Sequence, residues 1–122
     1  MKRILIIEDD PVVARVYSNS LQNAGYAVEA ADDGQSGLER LRQSPPDAVL
    51  LDMMLPKING VEILRQIRAD PALQTIPVMV YTNAFVDVMI QTAKNSGATE
   101  VFNKSTLTPA ALVEAFRKSM GD

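Results

Sequence analysis

The chemistry this chain could perform rests on a few side chains far apart in sequence: Glu8 and Asp9, Asp52, Thr82 and Lys104. Carboxylates, hydroxyls and amines are the whole repertoire, because the chain contains neither Cys nor His. Without imidazole it cannot be a histidine kinase, run a Ser-His-Asp triad or build the usual zinc site. Without thiols it has no disulfide framework, which permits a reducing compartment. Carboxylates gathered at one place repel, and a pair 4 Å apart costs up to about 4 kcal/mol at an effective dielectric of 20. A cationic complement is therefore required. Lys104 supplies one charge, and a hard divalent cation, Mg2+ or in its place Mn2+, suits the oxygen donors. With both in place, a carboxylate oxygen of Asp52 can attack phosphorus while the developing charge is neutralised, giving an acyl phosphate. The hydroxyl of Thr82 then gains a new acceptor.

Each residue also has a plainer explanation. Glu8-Asp9-Asp10 could simply decorate a helix N-terminus, which the macrodipole favours by roughly 0.3–1 kcal/mol per acid, and Asp10 is read that way. Asp52 could be a solvated strand end, Lys104 a surface lysine and Thr82 a turn hydroxyl. Met53 and Met54 read as loop or core filler, and Pro56 and Gly60 as turn residues. What favours chemistry is their joint placement, which depends on the elements that carry them.

Ile4 to Ile7 is a continuous apolar run ending at Glu8-Asp9-Asp10-Pro11, the pattern of a strand buried on both faces. Pro11 suits the first turn of a helix capped by Asp10, with Val13, Val16, Tyr17 and Leu21 on one face and Gly25 as its stop. The rhythm repeats. Ala27 to Ala30 is a short strand, Asp32-Asp33-Gly34 a turn, and Leu38 with Leu41 marks a helix ending before Pro45-Pro46. Ala48 to Leu51 is a buried strand ending at Asp52, and Val61, Leu64 and Ile67 mark the inner face of the next helix. Val78 to Tyr81 leads into Thr82-Asn83 and a helix from about Phe85 to Ser96, closed by Gly97. Val101-Phe102 is a weaker strand before Asn103-Lys104. Thr108-Pro109 caps a last helix with Leu112, Ala115, Phe116 and Met120 on one face.

Strands alternating with helices over short connections predict an α/β fold, a doubly wound five-stranded parallel sheet in the order 2-1-3-4-5 covered by five helices. In such a sheet, ligands bind outside the carboxyl ends of the strands, where strand order reverses. Glu8, Asp9, Asp52, Thr82 and Lys104 all fall there. The chain has 122 residues and reads as one domain over 1–122, with no linker or repeat. Its formal net charge of −3 and lack of a basic patch predict no direct nucleic-acid partner. The apolar runs are too short for a signal peptide or a membrane span, so a cytoplasmic location without membrane contact is expected.

The segments Ile4-Leu-Ile-Ile-Glu-Asp-Asp10, Val49-Leu-Leu-Asp-Met-Met-Leu-Pro56 with Gly60, Pro77-Val-Met-Val-Tyr-Thr82, and Gly97-Ala98 through Lys104 together resemble the receiver domains of two-component response regulators, which have the flavodoxin-like fold. The likeness covers essentially the whole chain, with four motifs in the right order at the right strand ends. It implies that Asp52 is the phosphoacceptor, that Asp9 binds Mg2+ directly with Glu8 acting mostly through water, and that the Met54 backbone carbonyl completes the protein ligands. It further implies that Thr82 and Lys104 contact the phosphoryl group. A sensor histidine kinase or histidine phosphotransfer protein would be the donor, and a downstream protein the target.

The chain departs from the family pattern at several positions. Ser105 stands where most receivers have proline after the lysine, and the loop up to Leu112 is one residue longer. Val101 occupies the place of the usual Tyr or Phe that moves inward on activation. Asn83 replaces a small residue, from which an altered phosphoryl lifetime is expected. Two rivals belong to other classes. A pseudo-receiver would be a pure interaction module that is never phosphorylated. A phosphatase working through an aspartyl-phosphate would typically carry a second Asp where Met54 stands.

Overall fold

In the computed structural model, which describes all 122 residues, strands and helices alternate strictly. The order is β1 (Arg3–Ile7), α1 (Pro11–Asn23), β2 (Ala27–Ala31), α2 (Gly34–Gln43), β3 (Ala48–Asp52), α3 (Gly60–Ala69), β4 (Val78–Thr82), α4 (Asp87–Asn95), β5 (Glu100–Asn103) and α5 (Pro109–Met120). The five strands form one parallel sheet in the order β2-β1-β3-β4-β5. The predicted topology is the observed one.

Successive strand residues point to opposite faces, and the two halves of the core follow that alternation. Ile4 and Ile6 of β1, Ala48 and Leu50 of β3, and Met79 and Tyr81 of β4 pack against Ala14, Tyr17 and Leu21 of α1 and Leu112 and Phe116 of α5. Leu5, Ile7, Val49, Leu51, Val78 and Val80 face the other way, onto Leu38 and Leu41 of α2, Ile63, Leu64 and Ile67 of α3, and Ala93 of α4. Every residue of β3 and β4 is buried, as central strands covered on both sides must be.

Local signals fix the helix starts. Asp10 accepts from the Val12 and Val13 amides ahead of Pro11, and Thr108 accepts from the Ala111 amide ahead of Pro109. Asp33, read only as a turn residue, caps α2 through the Ser36 amide. Gly25 and Gly97 both take the left-handed backbone expected after a helix.

Some details differ from the sequence expectation. Val16 is exposed, and the buried stripe of α1 is Ala14, Tyr17 and Leu21, because Ala14 fits the close approach of α1 to the sheet. In α3 Ile63 joins Leu64 and Ile67 as a fully buried residue, with Val61 only packed against the core edge. Helix α4 begins at Asp87, not near Phe85, and no side chain caps its start. No helix is long and apolar enough to cross a membrane.

Candidate functional site

The alternation that builds the core also builds the site. Glu8 continues the Ile4, Ile6 parity beyond β1, Asp52 the Ala48, Leu50 parity of β3, and Lys104 the Phe102 parity beyond β5. All three side chains therefore emerge on the α1/α5 side of the sheet at its carboxyl edge. There the Lys104 Nζ donates to Asp52 Oδ2 at 2.9 Å and lies 2.7 Å from Glu8 Oε1. Asp9 follows Glu8, and one carboxylate oxygen from each of Glu8, Asp9 and Asp52 falls within 4.8 Å of the others. The structure thus brings together Glu8, Asp9, Asp52 and Lys104.

Glu8 and Asp52 are almost completely buried, at 1% and 2% exposure, while Asp9 is exposed. Burial of that kind is tolerated only where the lone pairs are met. Glu8 Oε1 accepts from the Tyr81 hydroxyl at 2.6 Å as well as from Lys104, and Oε2 accepts from the Asp10 amide at 3.0 Å. Asp52 Oδ1 accepts from the Met54 amide at 2.9 Å.

These contacts set the charges. Burial alone would raise the Glu8 carboxyl, but hydrogen bonds from Lys104, Tyr81 and Asp10 outweigh it and hold the group below the ordinary value. Burial wins at Asp52, raising it against the opposing bonds from Met54 and Lys104. Asp9 is raised chiefly by the adjacent Glu8. Lys104 is lowered by burial, yet the two facing carboxylates more than reverse that, so it stays an ammonium.

Thr82 ends β4 in register with Asn103. It belongs to the opposite parity, with Val78 and Val80, and its hydroxyl accepts from the Ala84 amide at 3.0 Å, closing its own turn. Met54 sits in the loop after β3 with an exposed side chain. No hydrogen bond within the chain ends on its carbonyl, whereas the adjacent Met53 carbonyl is taken by the Gly60 amide at 3.2 Å. Gly60 is required here, because a Cβ would meet Met53 Cα at 2.5 Å and the Asp52 carbonyl oxygen at 2.9 Å.

The donor set fits a hard divalent cation. It is all oxygen, carboxylates dominate, and an uncommitted backbone carbonyl follows in the loop. Glu8 is the least available member, since two donors already occupy Oε1 and one occupies Oε2.

Tyr81 is the site residue that the sequence reading missed, having been read only as part of a strand. The available signal was parity: an aromatic hydroxyl directly before Thr82, on the same sheet face as Glu8, Asp52 and Lys104. Val101 and Phe102 also separate by parity. Val101 packs with the α2/α3/α4 side and Phe102 with the α1/α5 side, so the neighbouring aromatic does not stand in for the one Val101 lacks.

Comparison with known proteins agrees with this geometry. The family model described as "Response regulator receiver domain" matches residues 4–117. Among characterised relatives, the "DNA-binding dual master transcriptional regulator RpaA" of Synechocystis sp. PCC 6803 is 43% identical over 82 residues, covering 67% of this chain and 34% of that protein. The "DNA-binding response regulator MtrA" of Mycolicibacterium smegmatis is 34% identical over 116 residues, 95% of this chain and 49% of that protein. The chain thus spans half or less of the length of these relatives. Among solved structures, chemotaxis response regulator CheY4 of Vibrio cholerae superposes with a TM-score of 0.90 at 26% identity, covering 98% of both chains. The Mn2+-bound form of response regulator Rcp1 does so with a TM-score of 0.84 at 25% identity, covering 97% of this chain and 93% of that one.

The relatives correct one expectation. The absence of nucleic acid among the partners, argued from net charge, does not stand, because RpaA and MtrA are DNA-binding by name. The physical reason is that the charge argument sums over these 122 residues alone, whereas each of those proteins is at least about twice as long. Receiver domains are signalling modules, and this chain belongs to the response regulator receiver domain family.

Proposed function

We propose that residues 1–122 form one receiver domain that takes a phosphoryl group from a phosphohistidine onto Asp52 and thereby switches the binding of a downstream partner. The observation that carries this reading is the buried Asp52 carboxylate held 2.9 Å from the Lys104 ammonium, beside the carboxylates of Glu8 and Asp9. A carboxylate oxygen of Asp52 attacks phosphorus in line with the leaving imidazole nitrogen. The P–N bond breaks and its electron pair stays on the imidazole nitrogen, which takes a proton from solvent water, leaving an acyl phosphate that water later cleaves to phosphate and the free carboxylate.

Asp9, Asp52 and the Met54 carbonyl would hold Mg2+, with Glu8 reaching it through water by the one lone pair its other partners leave free. The cation, when bound, supplies charge neutralisation at the phosphoryl oxygens. Lys104 would supply the same from the protein, a role supported by its ammonium lying 2.9 Å from Asp52 Oδ2. Thr82 joins by turning its hydroxyl proton toward the phosphoryl oxygens, whose added charge of about −2 is what biases the domain toward its active arrangement. The chain acts only on itself, and Met54 offers no acid-base group for turnover of free substrates. In a longer polypeptide the switched partner would be an effector, and the names of RpaA and MtrA make a DNA-binding effector the favoured type.

Incubation with Mg2+ and acetyl phosphate tests the proposal by intact mass. A gain of one phosphoryl group, absent in Asp52→Asn, is expected. No gain in the unaltered protein would mean a pseudo-receiver, a pure interaction module.

A further inference from the structure

Tyr81 is the buried group at the site to which the reading above gives no task. Its ring is fully buried and fixed on two sides: Lys104 Nζ lies 4.9 Å from its centroid, and the Tyr17 ring packs against it at 5.6 Å and 59°. Tyr17 is itself tied to the loop after β5 by its hydroxyl, 3.4 Å from the Leu107 carbonyl. The Tyr81 hydroxyl donates to Glu8 Oε1 at 2.6 Å, among the shorter bonds in the molecule. One aromatic side chain thus touches both the anion and the cation of the Glu8–Lys104 pair.

We propose that Tyr81 is a positioning residue that commits Glu8 Oε1 inward, so that Asp9 and Asp52 remain the open carboxylates for the cation and Lys104 stays shared between Glu8 and Asp52. This rests on the phosphoacceptor reading above and assigns a division of labour within it. The argument is one of lone pairs. Oε1 has two, and Tyr81 and Lys104 fill them. Phenylalanine at 81 would keep the ring beneath Lys104 and remove only the donor. Oε1, relieved of the phenol, then competes harder both for the cation and for Lys104.

Two readouts should therefore move in opposite senses. In Tyr81→Phe, Mg2+ measured by calorimetry binds more tightly, while phosphorylation by acetyl phosphate at saturating Mg2+ slows. Each change is on the order of threefold to tenfold, the fold-change matching the net worth of one ordinary hydrogen bond, because water and Lys104 take up part of what the phenol gave Glu8. Both effects disappear when Tyr81→Phe is made in a Glu8→Gln background, because the residue acts through Glu8. A merely structural tyrosine would weaken both readouts together and do so equally in either background. That pattern, or an unchanged Mg2+ affinity, overturns the proposal.

Should Tyr81→Phe fail to fold, NMR on the unaltered protein answers the same question. A slowly exchanging Tyr81 hydroxyl proton that shifts in Glu8→Gln is expected, and its absence overturns the assignment. If the unaltered protein takes no phosphoryl group, the phosphoacceptor reading fails by itself, while the Mg2+ titrations still judge Tyr81.

Discussion

The Lys104 ammonium sits 2.9 Å from Oδ2 of Asp52, a residue 52 positions earlier in the chain, and its other close partner is Glu8 at 2.7 Å. One lysine therefore balances two carboxylates that are nearly inaccessible to water. Removing the one cation and removing one of the two anions should act on stability in different senses.

Lys104→Ala leaves Glu8 and Asp52 facing each other without compensation. Breaking a buried pair in this way costs about 3 kcal/mol, toward the low end of the range because the Lys104 side chain retains 15% exposure. Urea denaturation without divalent cation should show that loss. Added Mg2+ should recover more stability in the variant than in the unaltered protein, since the cation substitutes for the missing charge. Equal Mg2+ effects on both proteins would contradict this.

Asp52→Asn has the opposite sign. It removes one of two carboxylates that share a single ammonium while keeping an oxygen to accept from the Met54 amide. Stability without divalent cation should be unchanged or higher by about 1 kcal/mol. A loss of more than that amount would show that the repulsion has been overstated.

Gly60→Ala puts a methyl group 2.5 Å from Met53 Cα and 2.9 Å from the Asp52 carbonyl oxygen, both backbone atoms that cannot step aside alone. Overpacking of this kind costs roughly 1–3 kcal/mol. Because the displaced segment carries Asp52 and Met54, Mg2+ affinity should fall along with the denaturation midpoint. A variant that loses stability while binding Mg2+ normally would separate the loop from the site.

Asn103 braces the residues that follow Lys104. Its Oδ1 accepts from both the amide and the hydroxyl of Ser105, at 3.1 and 2.7 Å, in the place where the family pattern has proline. Asn103→Ala should cost only about 0.5–1 kcal/mol, because these groups are exposed. It should nevertheless slow phosphorylation by acetyl phosphate severalfold by loosening the base of Lys104. An unchanged rate would show that Lys104 is held by Glu8 and Asp52 alone.

Alkaline titration tests the packing. The chain has three tyrosines. Burial raises Tyr17 above its ordinary value, burial and the bond to Asp122 push Tyr26 up to about 12, and burial with the bond to Glu8 raises Tyr81 further. A phenol raised in the folded state contributes stability that is fully present below its unfolded value of 10.0 and is lost as pH climbs from there toward the folded value. Phenolate absorbance should therefore stay low past pH 10 and then rise together with loss of circular dichroism. A tyrosine ionising near pH 10 in the folded protein would refute this.

Much of the arrangement was legible in the sequence for a definite reason. Apolar runs such as Ile4 to Ile7 ending in acids mark both a central strand and the edge where ligands gather, and strand order follows from the handedness of the connections. Parity was the unread part of that signal. It would have placed Tyr81 with Glu8, Asp52 and Lys104, and Thr82 on the other face. What stayed invisible depends on packing distance. Val16 has the spacing of an inner residue, yet Ala14 takes the close contact with the sheet, and α4 begins at Asp87 without the capping side chain that would have announced it. Charge was misleading in a different way, since a sum over this chain says nothing about what longer relatives bind.

A crystal structure with Mg2+ and beryllofluoride tests the central claim most directly. The account predicts beryllofluoride on Asp52, the cation on Asp9, Asp52 and the Met54 carbonyl, and Lys104 and Thr82 both contacting fluorine. Beryllofluoride absent from Asp52 at saturating concentration, or a cation bound away from Asp9, would contradict it.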